Sequence, residues 1–335
     1  MHRGMSNSWK LFVVIVTAWS VNAVSAPAAW AQSSYPTKPV RLIVPYPPGG
    51  ATDVTARVIA QELTAAWGQQ FVVDNRAGAA AAIGTTIAVQ SNPDGYTFLV
   101  GTFGGLVSSP ALGAQRLPYD PVKDLLPIGL VVHTPWALVV NPAFAVSNLK
   151  ELIERAKASP GKLNYASTGT GTPNHLGMVL LMVRTGIEME HVPYKGAGPA
   201  LVDLLAGRVQ TLFSGVPQLL AHARTGRLKI IAVGHPTRLG VLPDVPAIAE
   251  TLPGFNNSGF YGLLSPIGVQ RPIIDKVSGE LKRVFGSPEM AKRMEALGLV
   301  ATTSTPEEFG KLIQDELALW RKIIKDAGIT VKSAQ

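Results

Sequence analysis

The chain has no cysteine among its 335 residues. That excludes a disulfide scaffold, a thiol nucleophile and every Cys-ligated zinc or iron–sulfur site. Charge is also sparse, at 16% against about 25% in an ordinary soluble protein. Beyond the first two dozen residues no apolar run approaches the roughly 20 residues that a membrane span requires. The common catalytic signatures are missing too. Around Ser167 the sequence reads Tyr165-Ala166-Ser167-Thr168-Gly169, which lacks the first glycine of a G-x-S-x-G elbow. There is no H-E-x-x-H or H-x-H pair, and the six histidines are scattered. No Walker A loop follows either glycine pair, Gly49-Gly50 or Gly104-Gly105. Gly169-Thr170-Gly171 has Asn174 where a dinucleotide fingerprint needs its third glycine. Basic residues are dispersed, without the aromatic-interleaved stripe of a nucleic-acid surface.

What is present describes a loop-rich globular protein. The apolar fraction is 47%, enough for a packed core, and there are 33 glycines and 26 prolines. The formal charge of +8 suits an anionic partner. Residues 1–31 read as a secretory signal peptide. Arg3 and Lys10 form its basic region, Leu11 to Val24 its apolar region, and Ala29-Trp30-Ala31 the cleavage site. The expected product is an exported, periplasmic protein of net charge +6, with no membrane anchor.

The mature chain alternates strands and helices, which predicts parallel βαβ units and an α/β fold. Val40 to Val44 is a β-branched strand stopped by Pro45-Tyr46-Pro47-Pro48-Gly49-Gly50. A helix follows from Thr52 to Trp67, with Gly68 at its end. Further helices are expected at Ala79–Gln90, Asn148–Lys157 (Ser147 as cap), Asn174–Thr185 and Pro199–Ala206. Strands are expected at 71–73, 96–100, 136–140, 163–166, 191–194, 211–213, 228–233 and 260–264. From Arg271 onward the pattern is helical, with a strand-like break near Leu299-Val300. Apolar crossovers near Val132–Asn141 and Asn257–Ser265 divide the chain into two lobes. Lobe one comprises 32–132 plus 258–335, and lobe two 133–257. A ligand cleft is expected between them, at the carboxyl ends of strands.

Several strand ends carry small, hydroxyl-bearing, glycine-rich loops that open helices: Tyr46 to Thr52, Thr102 to Gly105, Ser167 to Thr172, and Lys195 to Gly198. Helix N-termini present unpaired N–H groups and a partial positive charge, which suits a carboxylate or phosphate. The same loop chemistry also serves ordinary capping and turns, and composition leaves both open. Asp53 reads as a helix-dipole partner, with Arg57 one turn on as its ion-pair mate. His175 reads as a core or capping histidine, Lys195 equally as anion contact or surface lysine, and Trp320, spaced with Leu317 and Ile324, as core.

Longer motifs then carry a resemblance. They include YPTKPVRLIVPYPPGGATDVTAR from residue 35, VVDNRAGA at 72–79, NPDGYTFLVGT at 92–102 and LPYDPVKDLLPIGLV at 117–131. They continue with PGKLNYASTGTGTPNHL at 160–176, HVPYKGAGPALVDLLAGRVQ at 191–210 and LPDVPAIAETLPGF at 242–255. In that order, over essentially the whole mature chain, they resemble the Bug-type (TctC-like) extracytoplasmic solute receptors of tripartite tricarboxylate transporters. The resemblance implies a two-lobed fold like type II periplasmic binding proteins. It implies a receptor, not an enzyme, that closes on a small organic carboxylate and delivers it to membrane subunits; a monomer with no cofactor and no metal is expected. The resemblance implies ligand contacts at Tyr46, Pro48, Gly49, Gly50 and Thr52 and at Ala166, Ser167, Thr168, Gly169, Thr170 and Thr172; Thr102, His175, Lys195 and Ser214 join them as candidate ligand-binding residues from the reading of the other loops.

Three departures from the family pattern stand out. Ala80-Ala81-Ala82 replaces a glycine pair, which is expected to stiffen a helix start. Phe213-Ser214-Gly215 stands where F-D-N is usual, removing an acid and an amide and pointing away from amino-acid ligands. Tyr46 replaces a common Phe and adds a hydroxyl. Two rival functions share the same cleft: a sensory receptor for a membrane kinase, and a hydrolase or lyase that would depend on His175 or Lys195.

Overall fold

The computed structural model describes residues 35–113 and 117–328. The predicted signal peptide, residues 1–31, lies outside the described residues. Five strands and four helices fill the first part of the chain. They are β1 (Val40–Val44), α1 (Ala51–Trp67), β2 (Phe71–Asn75), α2 (Ala82–Val89), β3 (Thr97–Thr102), α3 (Ser109–Leu112), β4 (Leu125–Val140) and, after α4 (Leu149–Ala158), β5 (Asn164–Ser167). Then come α5 (Pro173–Thr185), β6 (Glu190–Pro193), α6 (Ala197–Leu205), β7 (Thr211–Gly215), α7 (Val216–Arg224) and β8 (Lys229–Val233). The chain closes with β9 (Ser258–Pro266), α8 (Arg271–Phe285), α9 (Pro288–Ala296), β10 (Val300–Ala301) and α10 (Pro306–Asp326).

The strands run in the order β2-β1-β3-β9-β4-β7-β5-β6, with β8 and β10 also pairing with β4. The βαβ units are parallel as the alternation predicts: β1 with β2 and β3, and β5 with β6 and β7. The joins between them are antiparallel and run through β4 and β9. Strand β4 is far longer than the segment expected at 136–140. Its first part pairs with β9, from Leu125 opposite Pro266 to Pro135 opposite Ser258. Its last part, from Trp136 to Val140, pairs with β7. One buried strand thus belongs to both halves of a two-lobed α/β fold, and the pairing changes hands at Pro135–Trp136. A 16-residue strand buried along most of its length needs apolar residues on both faces, which is why LLPIGLVVHTPWALVV shows no alternation.

Helix ends follow local chemistry. Gly68 terminates α1 in the left-handed conformation, its N–H donating to Thr64 O. For α4 the cap is Asn148, one residue later than expected, and its side chain accepts from Glu151 N. Ser147 instead donates its N–H to Glu151 Oε2. Helix α2 departs further. The sequence places a helix from Ala79, but Ala79, Ala80 and Ala81 hold φ of 46°, 50° and 79°, and α2 begins only at Ala82. Alanine in the left-handed region is strained by roughly 1–2 kcal/mol per residue, so the replacement strains a turn rather than stiffening a helix. The core carries Trp320, Phe98, Phe213, Phe260 and Phe309, all fully buried. Trp320 donates its indole N–H to Glu316 and packs edge-on against Phe103. Among the described residues no helix is long and apolar enough to cross a membrane.

Candidate ligand cavity

A cavity of about 640 Å³ opens where the two halves of the sheet meet. Its volume falls within the range usual for small-molecule sites. The predicted residues Tyr46, Pro48, Gly50, Thr52, Thr102, Thr168 and Thr172 line it.

The first loop is built on Asp53. Its carboxylate accepts from Gly49 N at 3.0 Å, Arg57 Nε at 2.9 Å and Asn75 Nδ2 at 3.0 Å. Asn75 also donates to Tyr46 O, tying the loop to the end of β2. Burial opposes ionisation of Asp53, but the donors from Arg57, Gly49 and Asn75 outweigh it and hold the carboxyl below its usual range. Asp53 is therefore a staple behind the loop, and Gly49, at φ 87°, takes the turn that puts its N–H on it.

Beneath the loop the cavity floor is made of hydroxyls. The Tyr46 phenol packs against Gly104, where a Cβ would collide with it. Burial pushes its pKa up to about 12, the neighbouring Tyr261 adds to the rise, and a hydrogen bond with Thr102 opposes it. Tyr261 on β9 is the register partner of Thr102 on β3. Its pKa is also raised by burial, against the hydroxyls of Thr52 and Thr134. Thr134 Oγ1 is buried with no hydrogen-bond partner of good geometry. Both phenols are protonated at neutral pH, so the floor offers O–H donors without charge. Trp136, Phe260 and Phe103 form an aromatic side, with Phe103 edge-on to the other two at 5.7 and 6.0 Å.

On the opposite side the loop from β5 to α5 is bonded to itself and to β7. Thr168 Oγ1 donates to Asn174 Oδ1, Asn174 Nδ2 to Phe213 O, and Thr172 Oγ1 to Gly169 O. Gly169 and Gly171, at φ 131° and 77°, make the turn possible. Behind it stacks a buried group. Ser167 shares a 2.6 Å hydrogen bond with His191 Nε2, and the His191 ring stacks on His175 at 4.2 Å. His175 Nδ1 accepts from Gly171 N at 3.1 Å, and burial, with His191 beside it, pushes its pKa down to about 4. His191 is lowered by burial as well.

Eight expected residues therefore do not line the cavity. Ala166 and Ser167 are fully buried in β5. Gly49, Gly169 and His175 hold the loops from behind. Thr170 and Lys195 are exposed outside the lining. Ser214 is buried and donates to Gln218 Oε1 at 3.1 Å. The sequence does not reveal Ala80, Ser108, Thr134, Trp136, Asn174, Gln218, Gly259 and Tyr261 as lining residues. Tyr261 and Thr134 sit in strands whose sequence signals only burial. Gln218 sits in α7, whose signals (Pro217 near its start, His222 and Arg224 in its last turn) were present.

Two features give this cavity its electrostatics. Among the described residues no Asp, Glu, Lys, Arg or His lines it. The N-termini of four helices do: Gly50 to Thr52 of α1, Thr172 to Asn174 of α5, Gly196-Ala197 of α6, and Gly215 with Pro217 of α7. None of these four helices has a side-chain cap. By contrast α4, α9 and α10 are capped by Asn148, Ser287 and Thr305. The contrast is not absolute, since α2, α3 and α8 also begin without a side-chain cap. First-turn N–H groups have no intrahelical acceptor, and these N-termini line a common space with fractional positive charge; Asp53, in the first turn of α1, spends its carboxylate on Gly49, Arg57 and Asn75 behind the loop.

Residues 55–329 match the model of the tripartite tricarboxylate transporter family receptor. The chain belongs to that receptor family. It is similar to Protein BugT of Bordetella pertussis, 34% identical over 97% of this chain and all of that one. Among solved structures, an R. palustris protein with adipate superposes with TM-score 0.81 at 32% identity, over 88% of this chain and 99% of that one. The periplasmic binding protein BugD gives 0.76 at 32%, with the same coverage. MatC from Rhodopseudomonas palustris with bound malate gives 0.75 at 29%, over 87% of this receptor and all of MatC. The receptor's two-lobed α/β fold is the one these neighbours share.

Proposed function

We propose that this receptor works in the periplasm, captures a small organic carboxylate by closure of its lobes, and presents it to the membrane subunits of a tripartite tricarboxylate transporter. The observation that carries this is the convergence of four uncapped helix N-termini on a cavity without charged side chains. Such a site favours an anion by oriented N–H dipoles. A cavity built on Lys or Arg would hold a counterion whether or not ligand were present, whereas this one is complete only with an anion inside. Adipate and malate in the two neighbours support the carboxylate class.

Closure is assigned to β4 and β9, with lobe one 32–132 plus 258–335 and lobe two 133–257. Among the described strands, β9 and β4 stand between the two parallel units in the sheet order. A ligand touching α1 on one side and α5 to α7 on the other favours the closed form by differential contact. A micromolar Kd corresponds to about 8 kcal/mol, within reach of a few charge-assisted hydrogen bonds of about 1.5–3 kcal/mol each. The receptor is proposed to have no catalytic residues and to need no cofactor. Ser167 and His191 are spaced like a nucleophile and base, but Ser167 is fully buried, which supports a structural role for the pair.

Thermal unfolding against small carboxylates, with amino acids and neutral analogues as controls, tests the reading. Ligand at 100 times Kd adds about 2.7 kcal/mol, and a rise in midpoint with a carboxylate that is recovered unchanged supports it. Consumption of the carboxylate would favour the hydrolase or lyase, and a rise with neutral analogues alone would overturn the anion site.

A further inference from the structure

On the lobe-two side of the cavity, Gln218 carries a donor that is uncommitted while its acceptor is held in place. Thr168 and Thr172 spend their hydroxyls on their own loop, and Asn174 donates its amide to Phe213 O in β7. Gln218, in the first turns of α7, lines the cavity as an exposed residue. Its Oε1 accepts from Ser214 at 3.1 Å. Ser214 is buried at the end of β7, so the hydroxyl is a fixed anchor. With Oε1 so engaged, Nε2 is left as a donor with no hydrogen-bond partner among the described residues, on a side chain that lines the cavity. The Phe213-Ser214-Gly215 segment has no acid or amide of its own, and one helical turn later Gln218 supplies an amide in its place.

We infer that Gln218, oriented by Ser214, reads a second hydrogen-bond acceptor at the far end of the ligand and so selects dicarboxylates over monocarboxylates and over ω-amino acids. This rests on the carboxylate-receptor reading above. The chemistry follows from the donor set. Nε2 stabilises an oxygen acceptor, and strongly so when that oxygen is ionised. It repels an ammonium, and no lining carboxylate offsets this. An apolar far end would leave the amide without a partner. Gln218 is the specificity-determining residue, and Ser214 is a positioning residue that acts through it.

The test uses matched straight-chain acids of four to eight carbons ending in carboxylate, methyl or ammonium, titrated calorimetrically. The parent protein is expected to prefer a diacid over the monoacid of equal length by about tenfold or more. Gln218→Leu should bring that ratio near one, weakening the diacid while the monoacid, whose methyl end no longer strands an amide, binds as well or better. Gln218→Glu should reverse the choice, weakening the diacid and admitting the ω-amino acid of the same length. Ser214→Ala should narrow the ratio by a few-fold with an unchanged unfolding midpoint, an effect a merely structural hydroxyl would not produce. Since Gln218 is exposed, both of its variants are expected to fold. If acids bind but the ratio in the parent is near one, or is the same in Gln218→Leu and Gln218→Glu, this inference is wrong and the receptor reading survives. If no acid of any length binds the parent, the receptor reading falls and takes the inference with it.

Discussion

The Tyr46 hydroxyl occupies the space that a side chain at Gly104 would need. The loop after β1 and the turn after β3 are thereby keyed together, and the phenol is set into the cavity floor beside Thr102. Gly104→Ala is expected to lower stability by about 1–3 kcal/mol, as overpacking does, and to weaken carboxylate binding. Tyr46→Phe in the same chain removes the atom in conflict and should recover most of the stability. Denaturant unfolding of the single and double variants checks this, and equal cost in both would refute the keyed contact.

The left-handed alanines give a prediction of opposite sign. Ala79 and Ala80 have positive φ and exposed side chains. Glycine there relieves about 1–2 kcal/mol of strain but raises unfolded-state entropy by about 0.4–1 kcal/mol. Ala79→Gly and Ala80→Gly should therefore each stabilise the protein, by about 0.5–1 kcal/mol. A loss of stability in both would show that the turn is not held in this conformation.

The Asp53 staple is expected to matter more than an ordinary surface pair, because one carboxylate holds three donors from α1, β2 and the loop. Asp53→Ala should cost about 2–4 kcal/mol and loosen ligand binding with it. The folded-state pKa is depressed, so the contribution is present above the ordinary carboxyl value of 3.8 and is lost as pH falls below it. Stability profiles of the parent and Asp53→Asn should diverge at neutral pH and converge in acid.

His175 gives a second pH signature. Its folded pKa is about 4 against an ordinary 6.5, so the unfolded chain binds the extra proton between those values. Stability should then fall as pH is lowered from about 6.5 to 4, by roughly 3 kcal/mol at full effect. His175→Asn retains an acceptor for the Gly171 amide and cannot titrate in this range. Its unfolding midpoint should vary less steeply over that window than the parent's, and identical slopes would assign the effect elsewhere.

The parallel units were legible because strand and helix patterns are local: Val40 to Val44 and α1 read directly from β-branching, proline and helical spacing. The loops after β1 and β5 announced helix starts through glycine and hydroxyl residues, and the cavity indeed forms there. The full length of β4 was hidden, since a strand buried on both faces loses its alternation. The division of labour within the loops was also hidden. Ser167, Gly169 and Thr172 look alike in sequence, yet packing sends Thr172 to the cavity and Ser167 to the buried histidine pair. Tyr261 and Thr134 come from the return strands, and only the antiparallel register brings them beside Thr102 and Tyr46. Gln218 depends on a helix of nine residues whose start follows directly on a strand.

The central claim is that an uncharged cavity holds a carboxylate through helix N-termini and hydroxyls. Calorimetric titration of the protein with a straight-chain diacid, adipate first, and with its neutral diamide, from pH 6 to 9, tests it most directly. The account predicts one diacid bound per chain, at a Kd that is flat over this range because no lining group titrates in it, with no detectable diamide binding. Equal affinity for acid and diamide, or conversion of the acid during the titration, would contradict it.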